Sequence, residues 1–220
     1  MGKLIVIEGL DGSGKATQAN LLYEMLCKKG YSAKKVTFPN YKSDSSAPVR
    51  MYLNGKISEN PQGVNAFAAS SFYAVDRYIS FKTDWEDFYN DNGIVVADRY
   101  TTSNGVHQCS KLPKEEWNSF MDWLYDFEYN KIGIPKPDAV VYLDMSPSVS
   151  QMLMSKRYSG DESKKDIHEK DKDYLERSRQ AAYFCVEHDK WIKIKCDDGT
   201  NPFSIEEISK KIEEVVNDIL

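Results

Sequence analysis

The chain has 220 residues, 41% of them hydrophobic and 29% charged, a balance that fits one globular α/β domain with a core of its own. Its formal net charge of −5 argues against broad nucleic-acid binding. No run reaches the ~20 apolar residues of a membrane span, and Met1-Gly2-Lys3 leads into a strand with no signal peptide expected.

Residues 3–8 are predicted as a first strand. Residues 15–29 follow as a helix with Ala19, Leu22, Met25 and Leu26 on one face and Gly30 as its stop. Residues 33–38 read as a second strand, halted by Pro39; 40–47 read as loop and 48–53 as a short helix. Residues 65–83 carry Phe67, Ser71, Ala74, Tyr78 and Phe81 near helical spacing and are predicted as one long helix. Ile94-Val95-Val96-Ala97, ending in Asp98, suits a buried parallel strand. A helix is predicted over 117–128 and another buried strand over 139–144, with Ser146-Pro147 opening the next helix. Residues 157–172 are the most charged and least apolar. Helix resumes over 175–188, a last strand spans 191–195, and 205–220 is an amphipathic terminal helix. This alternation implies a parallel sheet covered on both faces, in one domain over 1–220. Cys27, Cys109, Cys185 and Cys196 lack zinc or redox-pair spacing and read as reduced thiols of a cytoplasmic protein.

Between the first strand and first helix stands Gly9-Leu10-Asp11-Gly12-Ser13-Gly14-Lys15. Strand, glycine-rich turn and helix are the setting of a phosphate-binding P-loop. Glycines let backbone N–H groups turn toward an anion, and the helix N-terminus adds partial positive charge. Lys15 is placed to reach the β- and γ-phosphates. Ala16 stands where such a loop usually has the Ser or Thr that ligates Mg²⁺. Thr17 follows, its hydroxyl one residue further round the helix. Asp11 has two readings: a contact to a sugar hydroxyl or metal, or a turn-forming Asp.

Asp98-Arg99-Tyr100 ends a buried strand, where parallel sheets place their active crevice. Asp98 suits a water-held Mg²⁺ or a nucleophilic phosphate, and Arg99 a bidentate phosphate clamp; the alternative is a strand-end ion pair. Tyr73 and Arg77 share a helix face, and with Phe38, Pro39 and Arg50 form a looser set. From spacing alone they read as a packed aromatic beside a solvated Arg. Lys156-Arg157 and Lys164-Lys165 fit a basic flap over a triphosphate or an ordinary solvated loop.

Together these motifs resemble the thymidylate kinases, P-loop kinases acting on dTMP. The likeness runs from Lys3 to about Tyr183. It rests on the stretch from Glu8 to Gln18, on Phe38-Pro39 and Asp76-Arg77, and on the segment from Asp98 to Asn104. Pro137-Asp138, Leu143-Asp144 and Glu176-Arg177 complete it. The resemblance implies a three-layer fold with a five-stranded parallel sheet flanked by helices, commonly in a homodimer. It implies ATP-dependent phosphorylation of dTMP to dTDP with Mg²⁺, no nucleic-acid partner and no membrane. ATP would lie on Gly9, Leu10, Asp11, Gly12, Ser13, Gly14, Lys15, Ala16 and Thr17. For dTMP, the phosphate would meet Arg99 and Arg50, and the base would stack on Tyr73. Arg77 would bond the thymine O4 and Asn104 would read the N3 edge. Asp11, Phe38, Pro39, Ser103 and Gln108 complete that site. Metal would fall to Asp11 and Asp98. Gly12 matches the bacterial-type P-loop, whose members supply a catalytic Arg from a lid. Here the lid falls around 156–172, and 159–169 hold no Arg, so Arg157, Lys164 or Lys165 takes that role. The alternatives are a kinase for another nucleoside monophosphate or deoxynucleoside, and a non-catalytic nucleotide-binding protein.

Overall fold

The computed structural model describes residues 2–158 and 172–220, except the side chains at 61, 156–158, 172 and 173. Five strands, β1 (Lys3–Gly9), β2 (Ala33–Thr37), β3 (Ile94–Asp98), β4 (Ala139–Asp144) and β5 (Ile192–Lys195), form one sheet in the order β2-β3-β1-β4-β5. Every pairing is parallel, with Ile7 opposite Asp98 and Gly9 opposite Leu143. The register therefore brings the end of β1, where the glycine-rich loop begins, beside the end of β3.

The apolar runs are buried because both sheet faces are covered. Leu4, Val6, Val95, Ala97, Val140 and Tyr142 join one core cluster, and Ile5, Ile7, Ile94, Val96, Val141 and Leu143 join the other. Period-two alternation thus sorts apolar residues onto two apolar faces. Against the second face pack α1 (Lys15–Lys28) through Ala19, Leu22 and Leu26, and α9 (Ile205–Asn217) through Ile208, Ile212 and Val216. Helix α1 stops as expected: Gly30 has φ +86°, and the Gly30 and Tyr31 N–H groups donate to the Cys27 and Leu26 carbonyls at 3.0 Å.

Elsewhere the boundaries differ from the periodicity. The segment read as loop over 40–47 contains a 3₁₀ turn, Asp44–Ser46, and α2 (Ala47–Leu53) starts within it. Buried Asp76 organises the turn, accepting the Asn40 N–H at 2.8 Å and the Ser45 hydroxyl at 2.5 Å. The long helix predicted over 65–83 is α3 (Ala66–Ser80), then a π-helical turn, Phe81–Trp85, then α4 (Glu86–Asn90). The wide turn buries both Phe81 and Trp85. Helix α5 (Thr101–Cys109) has no counterpart among the expectations. Its buried face mixes Thr101, Thr102, Asn104 and Gln108 with Val106 and Cys109, so no clear apolar period marks it. The helix expected over 117–128 is α6 (Trp117–Tyr125), followed by a second π-helical turn, Asp126–Ile132. Helices α7 (Pro147–Tyr158) and α8 (Lys172–Asp189) flank residues 159–171, and the last helix ends at Asn217 rather than 220. Among the described residues no helix is long and apolar enough to cross a membrane.

Candidate active site

The loop after β1 turns through two left-handed glycines, Gly12 (φ +81°) and Gly14 (φ +84°), the second capping α1. Gly12 is also required by contact: a Cβ there would lie 2.6 Å from the Ser150 carbonyl of α7. Any side chain at 12, an Arg included, therefore has to displace that helix. Lys15 is buried and donates from Nζ to the Leu10 carbonyl at 3.0 Å, with Asp11 Oδ1 at 3.4 Å. Burial first, and then the neighbouring Arg99 charge, lower its pKa from the ordinary lysine value.

Arg99 sits at the end of β3 with φ +66°, a left-handed conformation that costs a non-glycine residue about 1–3 kcal/mol. Its N–H is held by the Ile7 carbonyl of β1 at 3.2 Å. This backbone turns the guanidinium across to the P-loop, where Nη2 donates to Asp11 Oδ1. Nη1 donates to Ser103 Oγ and to His107 Nε2, both at 3.2 Å, and lies 3.7 Å from Glu8 Oε1. A guanidinium only donates, so His107 accepts through Nε2. Burial alone would raise the Asp11 carboxyl, but Arg99 and Lys15 carry it well below the usual carboxylate range. The Arg99 guanidinium is correspondingly held protonated: burial opposes its charge, and Asp11 and Glu8 more than offset that.

Buried Glu8, at the end of β1, braces this region. It accepts the Gly9 N–H at 2.9 Å and the Thr102 and Ser103 hydroxyls at 2.7 Å. Asp98 is buried too, and its Oδ1 has no hydrogen-bond partner among the described residues. Burial raises its pKa. An orphaned carboxylate oxygen beside a phosphate loop fits a hydrated divalent cation better than Asp11 does, whose charge is already shared by Arg99 and Lys15.

On the other side of Arg99, Arg50 of α2 ties down the preceding loop. Its Nη1 donates to the Tyr41 carbonyl at 3.1 Å, the Ser43 carbonyl at 2.7 Å and Ser46 Oγ at 2.6 Å. Phe38-Pro39 is a cis peptide, and the Phe38 ring packs 5.8 Å from that of Tyr100. The Tyr73 ring stands edge-on to Tyr52 at 6.5 Å. Arg77 is not the solvated residue that its spacing suggests: it is 1% exposed and makes a two-pronged ion pair with Glu128, Nε to Oε2 at 2.7 Å and Nη2 to Oε1 at 2.5 Å. Asn104 donates to the same Glu128 at 3.0 Å.

One continuous cavity of about 1290 Å³ joins these groups. It is lined by Asp11, Gly12, Ser13, Gly14, Lys15, Ala16 and Thr17 at one end. Phe38, Pro39, Arg50, Tyr73, Arg77, Asn104 and Gln108 line the other, with Asp98, Arg99 and Ser103 between. Gly9 and Leu10 are not on its wall. Gly9 lies under the loop, where a Cβ would meet Ser13 Oγ at 2.5 Å, and Leu10 packs on the core. The P-loop end is extended by Met145, Met154, Phe203 and Ile208, which carry no sequence motif. Lys164 and Lys165 lie outside the described residues, as does the Arg157 side chain. Glu8, His107 and Glu128 are the residues that sequence reasoning passed over. Glu128 left one signal: it falls on the buried side of its helix after Phe120, Met121 and Leu124, where an apolar residue is the rule.

The model of a family described as thymidylate kinase matches residues 7–219. Over 177 residues the chain is 27% identical to a thymidylate kinase of Mycobacterium tuberculosis, covering 80% of this chain and 81% of that one. Over 162 residues it is 33% identical to the thymidylate kinase of Caenorhabditis elegans, covering 68% and 66%. A solved thymidylate kinase structure from Candida albicans superposes with a TM-score of 0.72 at 21% identity, over 99% of this chain and 92% of that one. The last likeness is one of fold.

Proposed function

The chain belongs to the thymidylate kinase family, and on that footing we propose that it transfers the γ-phosphoryl group of ATP to dTMP, giving ADP and dTDP. A dTMP phosphate oxygen attacks the γ-phosphorus in line; the bond from that phosphorus to the β-γ bridging oxygen breaks, and ADP leaves with the electron pair. The protein supplies position and charge rather than covalent chemistry. The observation that carries this reading is the convergence of Lys15 and Arg99 on Asp11 within one cavity. A donor held by the P-loop and an acceptor held from β3 would meet there.

In this reading Lys15 and the amides of 12–15 hold the ATP phosphates. Arg99 and Arg50 hold the dTMP phosphate, and Asp11 contacts the sugar hydroxyl and pairs with both Lys15 and Arg99. Phe38, Pro39, Tyr73, Arg77, Asn104 and Gln108 enclose the base, with Ser103 steadying Arg99. Mg²⁺, when bound, neutralises charge between the nucleotide phosphates; Asp98 would hold it through water, since Ala16 brings no hydroxyl. Arg157, Lys164 and Lys165 would furnish the lid cation within a single 1–220 unit. A homodimer is supported by the apolar stripe of Val75, Tyr78 and Ile79 on α3, each at least 37% exposed. The reduced thiols support a cytoplasmic location. Phosphorus NMR of ATP, dTMP and Mg²⁺ with the protein tests the reaction: dTDP and ADP should grow together, and ADP accumulating without dTDP would refute it.

A further inference from the structure

Glu128 is fully buried in the π-helical turn after α6, and four donors surround it. Oε1 accepts Arg77 Nη2–H at 2.5 Å and Asn104 Nδ2–H at 3.0 Å; Oε2 accepts Arg77 Nε–H and the Thr101 hydroxyl, each at 2.7 Å. Every partner donates, so the position demands a carboxylate: a Gln would turn an NH₂ toward one pair of donors. The second Asn104 Nδ2 proton goes to the Ser70 carbonyl at 3.2 Å. A carboxylate and a carbonyl only accept, so the orientation of the Asn104 amide is chemically forced. Both of its protons are committed behind the cavity wall, and Oδ1 is the polar atom left for the cavity that Asn104 lines.

We propose that Glu128 is a positioning residue for base selection: it locks Asn104 as an acceptor and Arg77 as a donor, so the pocket takes a pyrimidine with N–H at ring position 3 and a carbonyl at position 4. Thymine presents that pattern. Cytosine presents the reverse, a lone pair at position 3 and an amino group at position 4, and meets acceptor with acceptor and donor with donor. Arg77 fits the same scheme. Nε–H and one Nη2–H are held by Glu128, and one Nη1–H reaches the Tyr100 carbonyl at 3.3 Å. One N–H on each terminal nitrogen is left over to donate. The proposal rests on reading Arg77 and Asn104 as base contacts. It adds that their polarity is imposed from behind by a residue that touches no substrate.

A purely structural Glu128 would also tie α3 to α5, so stability alone decides nothing. The readout is the ratio of kcat/KM for dTMP to that for dCMP. In Glu128→Gln the ratio should fall at least tenfold, because Asn104 is free to turn over, while KM for ATP stays within twofold. A folded Glu128→Gln that keeps the full ratio overturns the proposal. Asn104→Ala separates the two readings. If Asn104→Ala loses discrimination and Glu128→Gln keeps it, the base contacts stand and only the role of Glu128 fails. If both keep it, the base contacts fail as well. Should Glu128→Gln not fold, side-chain amide NMR of the wild-type protein decides. The Asn104 Nδ2 protons should exchange slowly with solvent and stay so when dTMP is added; fast exchange without dTMP overturns the proposal.

Discussion

Asp11 and Arg99 form an ion pair across the gap between the ends of β1 and β3, and Lys15 lies 3.4 Å from the same Asp11 oxygen. One carboxylate therefore serves two cations, Lys15 at the start of α1 and Arg99 just past the end of β3. It holds them near each other, with Glu8 a further 3.7 Å contact of Arg99. The left-handed backbone of Arg99 is the local strain that makes this meeting possible.

The pair makes a prediction about pH. The folded-state pKa of Asp11 is lowered below its unfolded value of about 3.9. Its contribution to stability is therefore fully present above that value and is lost as pH falls through the folded pKa. Asp11→Asn should lower stability by about 1–3 kcal/mol near neutral pH. In thermal melts the gap to wild type should be flat from pH 5 to 8 and shrink below pH 4. A gap that stays constant down to pH 2 would show that the ion pair is not its source.

Lys15→Met keeps the aliphatic stem against the loop and removes the ammonium. Its hydrogen bonds end on the Leu10 carbonyl and Asp11 of the same loop rather than on another element, so the melting temperature should shift little. Turnover should fall by roughly 10²–10³-fold or more, the scale of losing one preorganised charge contact to the transferring group. Steady-state kinetics beside calorimetry checks both halves.

Arg77→Ala behaves differently because its partner is buried. Removing the guanidinium leaves the Glu128 carboxylate without its ion-pair partner, which costs about 3–5 kcal/mol of stability. Urea denaturation should show that loss. In the surviving folded enzyme, KM for dTMP should rise far more than KM for ATP.

The phosphate end of the site was legible in the sequence and the base end much less so. The glycine loop works through backbone N–H groups and a lysine at fixed spacing, and the apolar runs around it fix the strands on either side. Asp98 and Arg99 were readable because they interrupt such a run at its end. Arg77 was placed on the right helix, but its spacing could not reveal a buried partner 51 residues away. Helix α5 escaped because polar Thr101, Thr102 and Asn104, bonded to Glu8 and Glu128, share its buried face with Val106 and Cys109 and interrupt the apolar period. The two π-helical turns add a residue to the helical repeat, which periodicity cannot register.

Gly12 gives the P-loop no arginine beside Lys15, and the closeness of Ser150 leaves no room for one at that position. On the proposed reading, a lid cation would meet the charge that develops between donor and acceptor. Alanine at Arg157, Lys164 and Lys165 in turn should lower kcat by roughly 10–10³-fold with less effect on KM, and most at Arg157, whose guanidinium suits phosphate geometry. Near-normal turnover in all three single variants and in the triple variant would remove the lid from the mechanism.

On the proposed reading this cavity phosphorylates a thymine nucleotide at its existing phosphate. The direct measurement is kcat/KM with ATP across dTMP, dCMP, dAMP, dGMP and thymidine. dTMP should be the preferred acceptor, by roughly 10²-fold or more over dCMP and the purine nucleotides, because mismatched buried polar groups carry that cost. Thymidine, which lacks the phosphate that Arg99 would hold, should not turn over. Equal rates on dTMP and dCMP, or phosphorylation of thymidine, would contradict that reading.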